Sequence, residues 1–272
     1  MRYSVLMSVY YKDRAEHFRT AMNSMWDQTE KTDDFNLVCD GPLTEELNAV
    51  VREMEEKYPD RLHVTRMEKN SGLGQALNEG IRHCKNELIA RMDADDISRP
   101  DRCEKQLRVF NRHPETSLCS GFVEEFSEFP NRIDAVRTVP ETDEEIRAFA
   151  KKRNPFNHPC VMYRKSSVEA AGGYEDFYLL EDYHLWIRML HQKCRAYNLQ
   201  EPLLWMRAGA ELCRRRAGWK YAQSQKALFR YMEKIGFISH GEYLKSVMTR
   251  GMISLTPNFV RDYLYRKVIR KQ

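Results

Sequence analysis

The chain of 272 residues lacks the segments that would carry it into or across a membrane. No window approaches eighteen uncharged apolar residues, which excludes a predicted transmembrane helix. The N-terminus has neither the long apolar region nor the small-residue cleavage site of a signal peptide. We therefore expect a cytoplasmic protein, with the inner face of the cell membrane as the alternative location.

Cysteine patterns of metal or disulfide frameworks are missing too. The seven cysteines form no C-x-x-C pair and no cluster with histidine, which argues against structural zinc and against a disulfide framework. We expect reduced, mostly buried thiols. The formal net charge of +4 is too small an excess to indicate a nucleic acid partner. The length suits one large domain, or one domain with an appendage.

The glycine-rich segment at Gly72 and Gly74 has no third glycine and no acidic residue of a dinucleotide fingerprint. A Rossmann dehydrogenase is therefore poorly supported, while a glycine-rich helix start near phosphate stays open. Strand and helix patterns alternate from Tyr3 to Asp93. This alternation predicts an α/β fold with a mostly parallel sheet and right-handed crossovers.

Three carboxylates end the fourth predicted strand. Asp93, Asp95 and Asp96 follow a buried apolar run, at the strand end where ligands bind in such sheets. Acids this close repel one another unless a cation lies among them, and hard oxygen ligands suit Mg²⁺ or Mn²⁺ carrying a substrate's phosphates. The alternative is that Asp95, Asp96 or Ser98 caps the next helix, and both roles are compatible.

Further candidate side chains lie elsewhere in the chain. Asp40 ends the second strand and is either a turn former or a ligand. His158, fenced by two prolines, is either structural or a contact to ligand or substrate. Glu181 and Asp182 fall on the first turn of a helix, where the macrodipole favours acids. The functional alternative is that one of them is a general base aimed into the cleft of the three carboxylates.

The chain changes character after Pro202. Residues 221–232 are amphipathic, and residues 259–272 predict a basic amphipathic helix with aromatic side chains. Such a helix lies on anionic lipid, or packs on the domain with its cations in water. The run from Arg214 to Arg216 is either a solvated charged surface or a site for diphosphate or a phosphorylated acceptor.

Taken in order, these segments resemble the inverting glycosyltransferases of family 2 with the GT-A fold, of the kind that assembles bacterial surface polysaccharides. The correspondence runs from about Tyr3 to about Leu204. Its motifs are Ser8-Val9-Tyr10, Asp40-Gly41, Asn70-x-Gly72-Leu with Ala76-Leu-Asn78-x-Gly80-Ile81, Met92-Asp93-Ala94-Asp95-Asp96, Asn157-His158-Pro159, Gly172-Gly173-Tyr174 and Glu181-Asp182-Tyr183.

The resemblance implies roles for individual residues. Asp95 binds the Mn²⁺ or Mg²⁺ that bridges the donor's diphosphate, and Asp182 is the catalytic base. His158 and Glu181 are acceptor or accessory residues. The donor nucleotide contacts Ser8, Val9, Tyr10, Asp40, Gly72, Asp93 and Ala94, with Asp93 near the ribose.

The resemblance also implies an organisation of the chain. A GT-A domain covers residues 1–204, with a nucleotide-binding half over about 1–113 and an acceptor half over about 114–204. Its nucleotide-binding sheet is mostly parallel and flanked by helices. A helical extension over 205–272 follows, with association to the membrane surface as its expected property.

The reaction implied is transfer of a hexose from a UDP-sugar, with UDP-galactose as the expected donor, to a hydroxyl of a glycan. The expected acceptor is a lipid-diphosphate-linked repeat unit of O-antigen or capsule synthesis. His184 stands where many relatives carry another acid. The Gln-x-x-Arg-Trp signature of processive synthases is absent, so one sugar is added per acceptor.

Two other functions compete with this interpretation. A nucleotidyltransferase that makes the activated sugar should carry a glycine-rich loop with Arg or Lys after the first strand, and Tyr10-Tyr-Lys-Asp has no glycine. The second alternative is a noncatalytic subunit that binds a sugar nucleotide or a lipid carrier.

Overall fold

A computed structural model describes residues 1–208 and 218–255. The strands are β1 Tyr3–Val9, β2 Asp34–Cys39, β3 Leu62–Arg66, β4 Leu88–Asp93, β5 Ile97–Ser98, β6 Thr116–Phe126, β7 Ala135–Arg137, β8 Met162–Arg164 and β9 Arg195–Arg207. The helices are α1 Ala15–Trp26, α2 Glu45–Lys57, α3 Leu73–His83, α4 Arg102–Arg112, α5 Asp143–Ala150, α6 Lys165–Ala170, α7 Glu181–His191, α8 Trp219–Lys234 and α9 His240–Leu255. One 3-10 turn spans His158–Cys160.

One sheet runs in the order β3-β2-β1-β4-β8-β6-β9-β5, and β7 pairs with β6. The first four strands are parallel, as the alternation of strands and helices predicts. Strand β8 is antiparallel to both β4 and β6, so it joins the two halves of the sheet. The half of the sheet beyond β4 is therefore mixed rather than parallel.

Helices cover both faces of the sheet and bury two hydrophobic clusters. Successive side chains of a strand point to opposite faces. Val5 accordingly packs with α1, α2 and α4, while Leu6 packs with α3 and α7. Gly80 permits the close approach of α3, since a Cβ there would lie 2.2 Å from Leu6 Cδ1 and 2.9 Å from Val38 Cγ2.

The register brings the ends of three strands to one edge. Ser8 of β1 lies opposite Val38 of β2 and opposite Asp93 of β4. The residues that follow these strands therefore meet at the carboxyl edge of the parallel half, where α/β sheets bind ligands.

Strand β9 has thirteen residues, and the sequence pattern does not predict it. Phe122 of β6 pairs with Pro202 of β9, and the register of the two strands shifts immediately before and immediately after this pair. Proline is tolerated in a sheet at such irregularities, because the lost N–H is not needed there. The shifts also interrupt the alternation of apolar and polar residues, which is the signal that sequence analysis uses.

Arg102 connects the acid-bearing strand β4 to the chain that leads into β8. Its side chain is fully buried and donates Nη2 to the carbonyls of Arg91 at 2.6 Å and Val161 at 3.2 Å. Its Nη1 lies 3.4 Å from the carbonyl of Pro159, and its Nε donates to Gln106 at 3.1 Å. Several hydrogen bonds to main-chain carbonyls thus compensate the burial of this cation.

Helix α8 packs into the second hydrophobic cluster, beside α7, through Leu228, Phe229 and Met232, and α9 packs into it through Tyr243. Among the helices in the described ranges, none has both the length and the apolar composition that a bilayer span requires. The arginine run at 214–216 and the basic segment at 259–272 lie outside the described residues. The cysteines in the described part are free thiols, and five of these six are buried as expected.

Candidate active site

The end of β1 lines one side of the carboxyl edge. Ser8 and Tyr10 are half-buried, whereas the side chain of Val9 is 1% exposed and belongs to the core. The main chain of Tyr10 donates its N–H to Asp13 Oδ2 at 2.9 Å. Among these three predicted residues, Ser8 and Tyr10 therefore have side chains that partly reach solvent, whereas Val9 is a core residue whose carbonyl accepts the N–H of Asp40 at 2.8 Å.

Asp40 organises the loop that begins α3. Its Oδ1 accepts the N–H of Ser71 at 2.7 Å, and its Oδ2 accepts the N–H of Gly72 at 3.0 Å. The amide of Asn70 also donates to Oδ2 at 3.0 Å. Gly72 adopts φ 90°, a left-handed value that favours glycine. Asp40 thus fixes the predicted residue Gly72 at the same edge of the sheet.

The carboxylates of Asp93, Asp95 and Asp96 converge, with one oxygen of each within 4.8 Å of the others. Ala94 between them is buried in the core. None of these acids caps the following helix: β5 intervenes, and the N-cap residue of α4 is Asp101, without a side-chain capping bond. The capping alternative is therefore wrong for Asp95 and Asp96, and Ser98 lies within β5.

Each of the three acids has a different environment. Asp93 is bound by both Nη atoms of Arg91, one of them at 2.7 Å from Oδ2. Asp96 is buried and accepts the main-chain N–H of Arg207 at 2.8 Å. Asp95 reaches solvent, yet the loss of water around it and then the charge of Asp93 raise its pKa to about 6.

Repulsion among these acids extends to Asp13, in the loop after β1. Burial raises the pKa of Asp13 to about 7, the hydrogen bond from Tyr10 opposes that rise, and the charges of Asp95 and Asp93 add to it. A bound cation would relieve this repulsion. The donor set of carboxylate oxygens fits a hard divalent ion such as Mg²⁺ or Mn²⁺.

Cations also lie beside the cluster. Arg207 donates Nε to the carbonyl of Asp95 at 3.2 Å, and its guanidinium lies 4.8 Å from the ring centroid of Phe126. Its charge lowers the pKa of Asp95, against the larger effect of burial. The site therefore combines clustered acids with a guanidinium at its rim.

His158 forms a hydrogen bond of 2.9 Å between its Nε2 and the hydroxyl of Tyr174. Burial, and then the charge of Arg91, lower the pKa of His158 well below its ordinary value. The ring is therefore neutral and packs on Trp186, with ring centroids 5.9 Å apart. His158 therefore contacts the side chains of Tyr174 and Trp186 rather than the acid cluster.

Asp182 and Glu181 occupy the first turn of α7. Asp182 accepts the amide of Asn154 at 2.7 Å on Oδ2 and the N–H of Tyr183 at 2.7 Å on Oδ1. Burial raises the pKa of Tyr174 most, the charge of Arg91 opposes the rise, and the charges of Asp182 and Glu181 add to it. Tyr174 is thus within electrostatic reach of both the start of α7 and the Arg91 that binds Asp93.

His184, two positions beyond Asp182, lies in the core. It is 2% exposed and packs between the rings of Phe177 and Tyr231, with centroids at 4.4 and 4.6 Å. Burial, and then the charge of Arg188, lower its pKa to about 4. An aromatic pocket made partly by α8 therefore accounts for this residue.

The family follows from comparison with known proteins. The sequence model of the family described as Glycosyl transferase family 2 matches residues 4–172. A protein of Erwinia amylovora, the amylovoran biosynthesis glycosyltransferase AmsE, is 38% identical over 268 residues that cover 97% of this chain and 98% of that protein. The chain belongs to glycosyl transferase family 2.

This family 2 glycosyltransferase is also similar to an Escherichia coli enzyme named UDP-Gal:alpha-D-GlcNAc-diphosphoundecaprenol beta-1,3-galactosyltransferase. The two are 36% identical over 270 residues, which cover 99% of this chain and 97% of that enzyme. The predicted family, glycosyltransferases of the kind that assembles surface polysaccharides, and the predicted enzyme class are thereby confirmed. The nucleotidyltransferase and noncatalytic alternatives lose their support.

Solved structures confirm the predicted GT-A α/β fold. Mannosyltransferase PcManGT from Pyrobaculum calidifontis, in complex with GDP-Man and Mn²⁺, superposes with a TM-score of 0.68 at 16% identity, covering 96% of this chain and 72% of that one. TarS 1-349 of S. aureus in complex with UDP-GlcNAc gives 0.68 at 14% identity, covering 98% and 76%.

Sequence reasoning missed two residues at the site of this family 2 enzyme. Asp13 follows β1 at the same edge as Asp40 and Asp93, so the rule that selected those acids would have found it. Arg207 ends β9, and no sequence signal placed that strand beside Asp95.

Proposed function

We propose that this glycosyltransferase transfers galactose from UDP-galactose, with inversion, to a hydroxyl of a lipid-diphosphate-linked glycan in surface polysaccharide synthesis. The observation that carries the proposal is similarity over nearly the whole length to an enzyme named as a galactosyltransferase for such an acceptor. The acid cluster and the acidic start of α7 support the same chemistry.

The donor occupies the carboxyl edge of the parallel half. Ser8, Tyr10 and the loop at Gly72 hold the nucleotide, and Asp93, fixed by Arg91, faces the ribose. Asp95 and its neighbours would hold Mn²⁺ or Mg²⁺, and the bound ion would supply Lewis-acid stabilisation of negative charge on the leaving diphosphate. Fixing Asp93 in advance lowers the cost of ordering the donor.

Asp182 acts as the base. An acceptor hydroxyl is a poor nucleophile while neutral, and a carboxylate within about 3 Å takes its proton as the oxygen attacks the anomeric carbon. The bond between that carbon and the diphosphate oxygen breaks as the new glycosidic bond forms. A single base on the face opposite the leaving group gives inversion, so an α-linked donor yields a β-glycoside.

We also propose that the enzyme works at the membrane surface, since its acceptor is lipid-linked. The basic segment 259–272 supports this by its composition alone. Deleting it should move the protein from the membrane fraction to the soluble fraction, with turnover of a soluble acceptor analogue retained. An unchanged distribution would contradict the proposal.

A donor screen tests the activity directly. Purified enzyme is incubated with each UDP- and GDP-sugar, with and without Mn²⁺, and nucleotide release is measured. We expect UDP release from UDP-galactose to exceed that from the other donors and to require a divalent ion. Equal release from UDP-glucose would overturn the donor assignment, and full release in EDTA would overturn the metal assignment. Anomeric analysis of the product tests inversion.

A further inference from the structure

Asn154 contacts the proposed base from a loop that the reaction has not yet used. Its Nδ2 donates to Asp182 Oδ2 at 2.7 Å, and its Oδ1 accepts the main-chain N–H of Phe156 at 3.2 Å. Because the N–H of Phe156 can only donate, it fixes the amide with its NH₂ group toward the carboxylate. The chain itself thus sets the orientation of Asn154.

The loop that carries Asn154 is anchored independently of Asp182. Asn157 donates its amide to the carbonyl of Gly121 at 2.8 Å, and Asn198 donates to the carbonyl of Pro155 at 3.1 Å. Phe156 is buried, with its ring centroid 5.8 Å from that of Trp186. The bond from Asn154 to Asp182 is therefore not needed to hold the loop.

We propose that Asn154 is the positioning residue of the general base: it orients the carboxylate of Asp182 and favours its ionised form. The inference rests on the proposed function, in which Asp182 takes the acceptor's proton. A hydrogen bond to an ionised group is stronger than one to a neutral group, so the donor stabilises the carboxylate over the acid. Each carboxylate oxygen has two lone-pair sites, so a bond from Asn154 leaves room for the acceptor hydroxyl.

Glu181 and Tyr174 are among the titratable groups that bear on a measurement of this effect. Glu181 shares the first turn of α7, and Tyr174 is the phenol within electrostatic reach. The pKa of Tyr174 lies above its ordinary value and that of His158 well below its own, so neither side chain changes its charge as the pH passes through neutrality. The buried guanidinium of Arg91 stays charged throughout. Saturating Mn²⁺ keeps the metal-binding acids ionised.

The test compares the pH dependence of kcat for Asn154→Ala and Asn154→Asp with that of the wild-type enzyme, at saturating Mn²⁺ and donor. Without the amide, the acidic limb should move up by about one to two pH units. At pH values below the wild-type pKa of this limb, the shift lowers kcat about 10- to 100-fold, with a smaller loss at pH 8.5 and an unchanged donor KM. Asn154→Ser is expected to show the same shift and replaces the alanine variant if that variant does not fold.

The aspartate variant separates positioning from a merely structural role. An aspartate at 154 keeps the size of the side chain and can still accept the N–H of Phe156, so a structural role predicts that it outperforms alanine. A positioning role predicts the reverse on the acidic limb, because two carboxylates then face each other and the pKa of Asp182 rises further. Asn86→Ala is the matched control, since it removes an amide–carboxylate bond of 2.8 Å to Asp33 and should keep the wild-type profile.

The outcomes distinguish the two proposals. If Asp182→Asn loses turnover while the Asn154 variants keep the wild-type acidic limb, Asp182 is the base and the role of Asn154 is overturned. An aspartate variant more active than the alanine variant on the acidic limb overturns it as well. If Asp182→Asn keeps its turnover, the proposed base is wrong. A shifted limb in both Asn154 variants, with the aspartate variant worse, supports the inference.

Discussion

Neutralising either member of the Arg91–Asp93 pair is expected to destabilise the fold unequally. The side chain of Arg91 is 1% exposed, whereas that of Asp93 is 30% exposed. Removing one partner of a buried ion pair costs about 3–5 kcal/mol, because the other charge stays buried without compensation. Asp93→Asn leaves the deeper charge, a guanidinium that cannot lose its proton, and should approach this range although it relieves the repulsion of Asp95 and Asp13. Arg91→Met leaves a carboxylate that still reaches water and can take up a proton, so it should cost roughly half as much.

Urea denaturation in EDTA at pH 8 measures both free energies of unfolding without interference from a bound cation. The double variant Arg91→Met/Asp93→Asn completes the cycle. It removes both charges and should be more stable than Asp93→Asn alone. Arg91→Lys is the control: it keeps a cation but loses the paired geometry of the guanidinium, so its loss should be smaller than that of Arg91→Met.

Two results would refute this reasoning. One is a larger loss of stability in Arg91→Met than in Asp93→Asn. The other is a loss below about 1 kcal/mol in both variants, the range of exposed ion pairs, which would mean that water reaches the guanidinium.

Three further predictions concern the site and the sheet beneath it. Folding raises the pKa of Asp13 from 3.8 to about 7, so ionising it costs stability that is lost progressively as the pH rises from about 4 to about 7. Asp13→Asn should thus raise the Tm of the metal-free protein more at pH 8 than at pH 5, and an equal shift at both would contradict this. Gly80→Ala should cost about 1–3 kcal/mol in unfolding free energy through overpacking, whereas Gly241→Ala, with open space around its Cβ, should cost nothing. Asp95→Ala should abolish the Mn²⁺ dependence of donor binding in titration calorimetry, and normal dependence would exclude Asp95 as a ligand.

The parallel half of the sheet and its helices could be predicted because each of these elements has a hydrophobic pattern of its own. Apolar runs end on acids, and parallel strands bring those ends to one edge, so the sequence predicts that Asp40 and Asp93 lie at the same edge of the sheet. The position of an acid at a strand end predicts where the residue lies more reliably than what it binds. Asp40 proves to bind the loop at Gly72, a contact that depends on chain thirty residues away.

The rest depends on pairing that leaves little trace in the sequence. Strand β5 has two residues and exists through its pairing with β9, so Asp95 and Asp96 looked like helix caps. The register shifts in β9 interrupt its alternation of apolar and polar residues, so the sequence predicts neither this strand nor the position of Arg207 at its end. The partner of Asn154 lies 28 positions away on another element, and no local pattern links the two.

Arg102 has a consequence for engineering. The guanidinium of Arg102 donates hydrogen bonds to the carbonyl of Arg91, in the parallel half of the sheet, and to that of Val161, just before β8. Strand β8 itself lies between β4 of the parallel half and β6 of the mixed half. The two halves therefore cannot be exchanged between enzymes without regard to these shared hydrogen bonds and strand pairs. A chimaera that takes the chain after α4 from another enzyme must supply main-chain carbonyls that accept hydrogen bonds from this arginine. Without them, the guanidinium of Arg102 would be buried without acceptors.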